Sequence, residues 1–264
     1  MKKRHLIYVA CLLVAMGACS ATSKERAKIT PDAWGKYNVG TVLFEDKAPE
    51  TKGSDIYHRI IPDAESYIKA QAREVLATLY NSPEDSIPTV NKIHYTLEDI
   101  EGVSAKGGGN GDVTIFYSTR HIEKSFAAND TAKLFFETRG VLLHELTHAY
   151  QLEPQGVGSY GTNRVFWAFI EGMADAVRVA NGGFDGPNAR PKGGNYMDGY
   201  RTAGYFFVWL RDNKDPEFLR KFNRSTLEVI PWSFDGAIKH ILGNEYNIDE
   251  LWHCLLYTSD AADE

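Results

Sequence analysis

Apolar residues follow two different rhythms along this chain. In the first half, the NVGTVLFED run at 38–46 reads as a first strand. Lys92–Leu97 alternates apolar and polar positions, and Asp112–Ser118 does so again, each as a strand with one face buried would. Between the first two strands, residues 62–80 carry Ala64, Tyr67, Ile68, Val75, Leu76 and Leu79 at helical spacing. Pro83 and Pro88 mark a loop, and Gly107, Gly108, Gly109 and Gly111 read as a flexible turn.

From residue 130 onward the period becomes helical. Residues 132–152 form a long predicted helix, capped by Asn129 or Asp130 and followed by Pro154. Residues 164–179 form a second, stopped by Asn181-Gly182-Gly183, and a Gly/Pro/Asn-rich connection runs on to Asn195. Helices are also expected at 202–211, 216–223 and 234–242, with another opening at Ile248. Strands early and helices late predict an α+β fold in a single domain. A chain of 264 residues, 43% of them hydrophobic, suffices for one sizeable core.

Charge excludes one class of function. The net charge is −6 with lysines and arginines scattered, which is not the basic footprint of a nucleic-acid binder. The first residues change the picture more. Lys2, Lys3 and Arg4 precede a short apolar stretch, Leu6–Met16, and then Gly17-Ala18-Cys19-Ser20. This predicts an export signal over residues 1–19, with Cys19 lipidated as the first mature residue and residues 20–33 as a tether; ordinary cleavage nearby is the alternative. Either reading puts the mature protein outside the cytoplasm, as a periplasmic, cell-surface or secreted protein, with membrane attachment only through Cys19. At the other end, CLLYTSDAADE (254–264) resembles a translated sequencing adaptor, so the native domain is expected to span 34–253. Setting aside Cys11, Cys19 and Cys254 leaves no cysteine for a disulfide.

The chemistry lies in His144-Glu145-Leu146-Thr147-His148, an HExxH motif on the long predicted helix. Residues four apart on a helix share a face, so both imidazoles can reach one zinc ion. Glu145, offset by one position, stays off the metal but can take a proton from the water the zinc activates. The bland alternative, a pair of hydrogen-bonded core histidines, would bury two histidines and a glutamate at considerable cost.

A catalytic zinc needs a third protein ligand. The metzincin pattern fails, because Gln151 and Pro154 stand where it requires glycine and histidine, and a GTxD pattern fails at Asn163 and Arg164. Glu171 and Asp175 are four apart on the next helix, among Phe166, Trp167, Phe169 and Ile170. They resemble the ExxxD helix of thermolysin-like gluzincins. That resemblance makes Glu171 the third ligand and Asp175 the carboxylate that holds His144 by its other ring nitrogen, with Asp175 as ligand instead the alternative. Gly172 and Gly140 are expected to let the two helices approach each other.

The segments VLLHELTHAYQ, FWAFIEGMADAVR and GYRTAGYFFVWL together resemble the basic secretory protein family of plants and bacteria, over residues 34–253. The resemblance implies a zincin-like fold, with a small mixed N-terminal sheet, an edge strand over the HExxH helix and a helical C-terminal half, and a zinc-dependent endopeptidase acting on peptides or proteins. Asp112–Ser118 is then the candidate edge strand for pairing with substrate. Tyr205 is the candidate donor to the transition-state oxyanion, with Tyr160 the second; both could instead simply pack. Gln151 belongs to the motif with no assigned role beyond a helix-end hydrogen bond. His58, His94, His121 and His240 read as structural or surface histidines. The competing function is a surface lipoprotein that binds through an inactive zincin fold.

Overall fold

The computed structural model describes residues 33–184 and 190–260. The expected export signal, the Cys19 expected to be lipidated and nearly all of the expected tether lie outside the described residues. The first half folds as β1 (Thr41–Asp46), α1 (Lys52–Ile60), α2 (Ala64–Leu79), β2 (Lys92–Glu98), β3 (Ser104–Gly109) and β4 (Asp112–Ser118). The rest is helical: α3 (Thr119–Ser125), α4 (Thr131–Tyr150), α5 (Arg164–Ala180), α6 (Tyr200–Asn213), α7 (Phe218–Glu228), α8 (Phe234–Leu242) and α9 (Ile248–Asp260). The fold is α+β as the pattern predicts. One apolar cluster reaches from Trp34 in the first described turn to Leu255 in α9, so the described residues share a single core.

The sheet order is β1-β2-β4-β3, with β1, β2 and β4 parallel and β3 antiparallel to β4. Alternation does what it should. Val42, Ile93, Tyr95, Leu97, Val113, Ile115 and Tyr117 are buried on one face, while Leu43 and Thr114 face solvent on the other.

This order corrects the edge strand. Asp112–Ser118 is an inner strand, hydrogen-bonded on both sides, and the edge is Ser104–Gly109, where the sequence suggested only a flexible turn. Asn110 and Gly111 close the β3–β4 hairpin with φ of 53° and 83°. Two left-handed residues in a two-residue loop match the right-handed twist of paired strands, which is why Asn-Gly favours this turn. The glycines of β3 hid it: they bring neither β-branched side chains nor an apolar alternation.

Helix α4 runs beneath β3. Asp130 caps it, its side chain accepting from the Lys133 N–H at 2.9 Å. It ends at Gln151, and the next N–H, that of Leu152, donates to Asn223 Oδ1 at 2.9 Å. Asn163 caps α5 by accepting from Val165 N at 2.8 Å. The contacts Glu137–Arg178, His144–Asp175 and His148–Glu171 run in opposite senses along α4 and α5, so the two helices are antiparallel.

Of the two glycines expected at the α4–α5 contact, Gly140 lies there and Gly172 does not. Gly140 makes room for the Arg178 side chain, whose Nε lies 2.3 Å from where a Cβ would stand. Gly172 faces α6 rather than α4, against Ala203 and Phe207. From α6, Gly204 presses on the backbone of α5: a Cβ there would lie 2.7 Å from Ala176 N and Asp175 C. Gly204→Ala therefore gains about 1 kcal/mol in helix propensity but forces an overpacking cost of about 1–3 kcal/mol. A net loss of up to about 2 kcal/mol is expected as a lower urea midpoint. An unchanged or raised midpoint would mean that α6 yields without strain.

Candidate metal centre

About one turn of α4, His144–His148, and one of α5, Glu171–Asp175, put the chemistry in one place. Among the described residues, His144 Nε2, His148 Nε2 and a Glu171 carboxylate oxygen all lie within 4.8 Å of one another, a group able to hold a metal ion. The two Nε2 atoms are 3.1 Å apart, and Glu171 Oε2 is 3.3 Å from one and 3.8 Å from the other. Donors about 2.0–2.2 Å from a single tetrahedral zinc would stand roughly 3.3–3.6 Å from each other, so the observed separations bracket that range.

The surroundings fit a cation as well. Glu171 is buried, and its Oε2 has no hydrogen-bond partner beyond its ion-pair contacts with the two Nε2 atoms, so this carboxylate oxygen depends on positive charge at the point where the three atoms meet. The other oxygen, Oε1, accepts from the Tyr160 hydroxyl at 2.6 Å. Asp175 Oδ1 is 2.7 Å from His144 Nδ1, which leaves Nε2 of that ring aimed at the cluster. This is the usual carboxylate–histidine arrangement at metals. Asp175 therefore stands behind His144, and Glu171 in front.

Electrostatics divides the two imidazoles. Burial works against a charged His144, but Asp175 and Glu171 outweigh it and hold its pKa up at about 10. Burial and the neighbouring His144 charge press His148 down to about 3. Burial would also raise Glu171, yet the facing histidines and Tyr160 bring it below its ordinary value. Positive charge is thus favoured at His144, between Asp175 and Glu171, and disfavoured at His148.

Glu145 takes no part in that triad. It is buried on the β3 side of α4, where burial pushes its carboxyl up; the His144 charge, the Ser104 hydroxyl and the Lys106 backbone N–H pull the other way. A carboxylate raised by burial and held at the edge of a cleft is suited to moving protons.

These groups line a cavity of about 690 Å³. Its rim includes Val103, Tyr160 and Tyr200, each between 40% and 47% exposed. Tyr200 stacks on His144, ring centroids 6.0 Å apart and planes 14° from parallel.

Tyr205, expected as the oxyanion donor, is elsewhere. It is absent from the cavity lining and packs, half-buried, against the core. Tyr200 opens α6 beside His144, and a residue five further on is turned about 140° round the helix, so the two cannot face the same cleft. The tyrosine hydroxyl at the centre is that of Tyr160.

Sequence reasoning also missed Ser104, Lys106 and Tyr200. Ser104 and Lys106 could be placed only by recognising the hairpin, and no local signal marks Tyr200. Gln151 was within reach, since three residues after His148 it shares that helical face.

A family model described as a peptidase of plants and bacteria matches residues 39–255. No curated protein and no solved structure matches the chain.

Proposed function

The chain belongs to the BSP family, peptidases of plants and bacteria, and from that premise we propose that it is a zinc-dependent endopeptidase acting outside the cytoplasm. The convergence of His144 Nε2, His148 Nε2 and the buried Glu171 Oε2 carries this reading. Those three atoms would hold the ion. Zinc bound there would polarise a scissile carbonyl and make a water acidic enough to serve as nucleophile near neutral pH.

The chain's own groups do the rest. An extended peptide adds to the outer edge of β3, whose main-chain N–H and C=O groups not paired with β4 supply hydrogen bonds. Val103, Tyr160 and Tyr200 at the rim receive its side chains. Glu145 takes the proton of the attacking water and returns it to the departing amine, a role its buried position supports. The Tyr160 hydroxyl, one rotation from its bond to Glu171, donates to the oxygen on which negative charge develops.

No observation favours the inactive binding module: both histidines, the third carboxylate and the neighbouring Glu145 face one cleft. The basic start and the apolar run ahead of Cys19 support export, with lipid attachment at that residue.

Metal analysis of the purified protein together with digestion of a denatured protein substrate tests the proposal. One zinc per chain is expected, with cleavage lost on chelation and restored by added zinc. A protein that takes up no metal, or that cleaves equally well after its metal is stripped, overturns it.

A further inference from the structure

Gln151 has no role in the reaction as described, yet it is 5% exposed and its amide touches a metal-site histidine. Its backbone ends α4, the N–H bonded to Thr147 O at 2.8 Å, and its side chain turns back along the helix. Nε2 of the amide lies 2.8 Å from Nδ1 of His148. The other amide atom, Oε1, is buried with no partner.

Chemistry sets which atom must face the ring. An imidazole that gives the Nε2 lone pair to a metal carries its proton on Nδ1. The atom opposite Nδ1 must then accept a hydrogen bond, and an amide NH2 cannot. A half-turn of the amide about its terminal bond exchanges its two ends without moving any other group. Oε1 then accepts from Nδ1–H at the same short distance, and it leaves a spot where an acceptor meets no donor.

We propose that Gln151 is the positioning residue of His148: its side-chain carbonyl fixes the Nδ1–H tautomer and turns the ring so that Nε2 points at the metal. The assignment rests on the zinc reading above and adds a second orienting group to the centre. His144 is oriented by the charged Asp175, and His148 by a neutral amide. The spacing fits this role, because three residues after His148 is the C-cap, where the chain leaves the helix beside that ring. It also limits the anionic charge, since a carboxylate in place of the amide would add a fourth to Glu145, Glu171 and Asp175 around the two imidazoles.

The test compares the full chain with Gln151→Met and Gln151→Glu, measuring zinc affinity by competition with a chromophoric chelator. Methionine keeps the bulk and removes the strong acceptor; glutamate keeps an acceptor and removes the donor. Gln151→Met is expected to bind zinc about 10–100-fold more weakly. The thermal midpoint of its chelator-treated form should stay near wild type. Gln151→Glu is expected to bind within about tenfold of wild type, as the acceptor role requires. Nitrogen-detected NMR of the zinc-loaded wild type should show His148 protonated at Nδ1. Equal zinc affinity in Gln151→Met and wild type would overturn the proposal. So would a loss in Gln151→Glu as large as in Gln151→Met, which would mean that the amide donates or merely fills space. If Gln151→Met does not fold, Gln151→Glu and the tautomer still decide. A wild type that binds no zinc is a different result: it removes the metallopeptidase reading, and this assignment with it.

Discussion

Glu145→Gln should abolish nearly all proteolysis while leaving the metal in place. Glutamine keeps the shape of the side chain and its contacts with β3 but cannot accept a proton. Loss of a positioned general base lowers rates by about 10²–10⁴-fold, and a drop in that range is expected in kcat/KM for a quenched peptide. Zinc content should stay stoichiometric, because no donor of the cluster has changed. Stability should not fall, since an amide at this buried position carries no charge that burial disfavours. Metal-loaded Glu145→Gln retaining a tenth or more of wild-type activity would remove Glu145 from the proton-transfer role.

Glu171→Ala is expected to have the largest effect on the metal itself. It deletes one of three donors and leaves two imidazoles that must complete the site with water. Outer partners of ligands are worth 10–100-fold in affinity; a ligand should be worth more, so a loss above about 100-fold is expected by chelator competition. Asp175→Asn is the comparison. It leaves all three donors and weakens only the hold on His144, so its loss should stay within the outer-partner range. The reverse ranking, with Glu171→Ala nearly normal and Asp175→Asn devastated, would make Asp175 the ligand. The 2.7 Å contact of Asp175 with Nδ1 rather than Nε2 argues against that outcome.

Much of this centre could be read before any coordinates because helices obey a short-range rule. His144 with His148, and Glu171 with Asp175, are related by a four-residue step, and the step alone puts each pair on one face. That α4 and α5 then face each other is a tertiary fact, because the connection between them, 151–163, is too long to dictate how they pack. What stayed illegible depends on distant partners. β3 is a strand because β4 pairs with it, not because SAKGGG favours one. Tyr205 and Tyr160 cannot be ranked from sequence, since the loop that brings Tyr160 onto Glu171 has no period to read. Two short helices, α1 and α3, were also missed. α3 has seven residues and follows directly on β4, whose last residue, Ser118, serves as its cap, so neither rhythm has room to show. Gly172 could be seen to allow a close approach, but not to which neighbour.

Under the proposed pairing of a peptide with β3, the composition of that strand bears on selectivity. From Lys106 onward, three of its last four residues are Gly107, Gly108 and Gly109, so along that stretch the rail offered to a bound chain is mostly bare main chain. Main-chain pairing is the same for every residue type, and a bare rail cannot tell one peptide sequence from another. Discrimination then falls to the side chains around the cleft, Val103 next to β3 and Tyr160 and Tyr200 opposite. An engineer wishing to redirect cleavage should exchange those three and leave the glycines alone: bulk added to the strand would narrow access for all substrates alike, whereas a change at the rim would favour some over others.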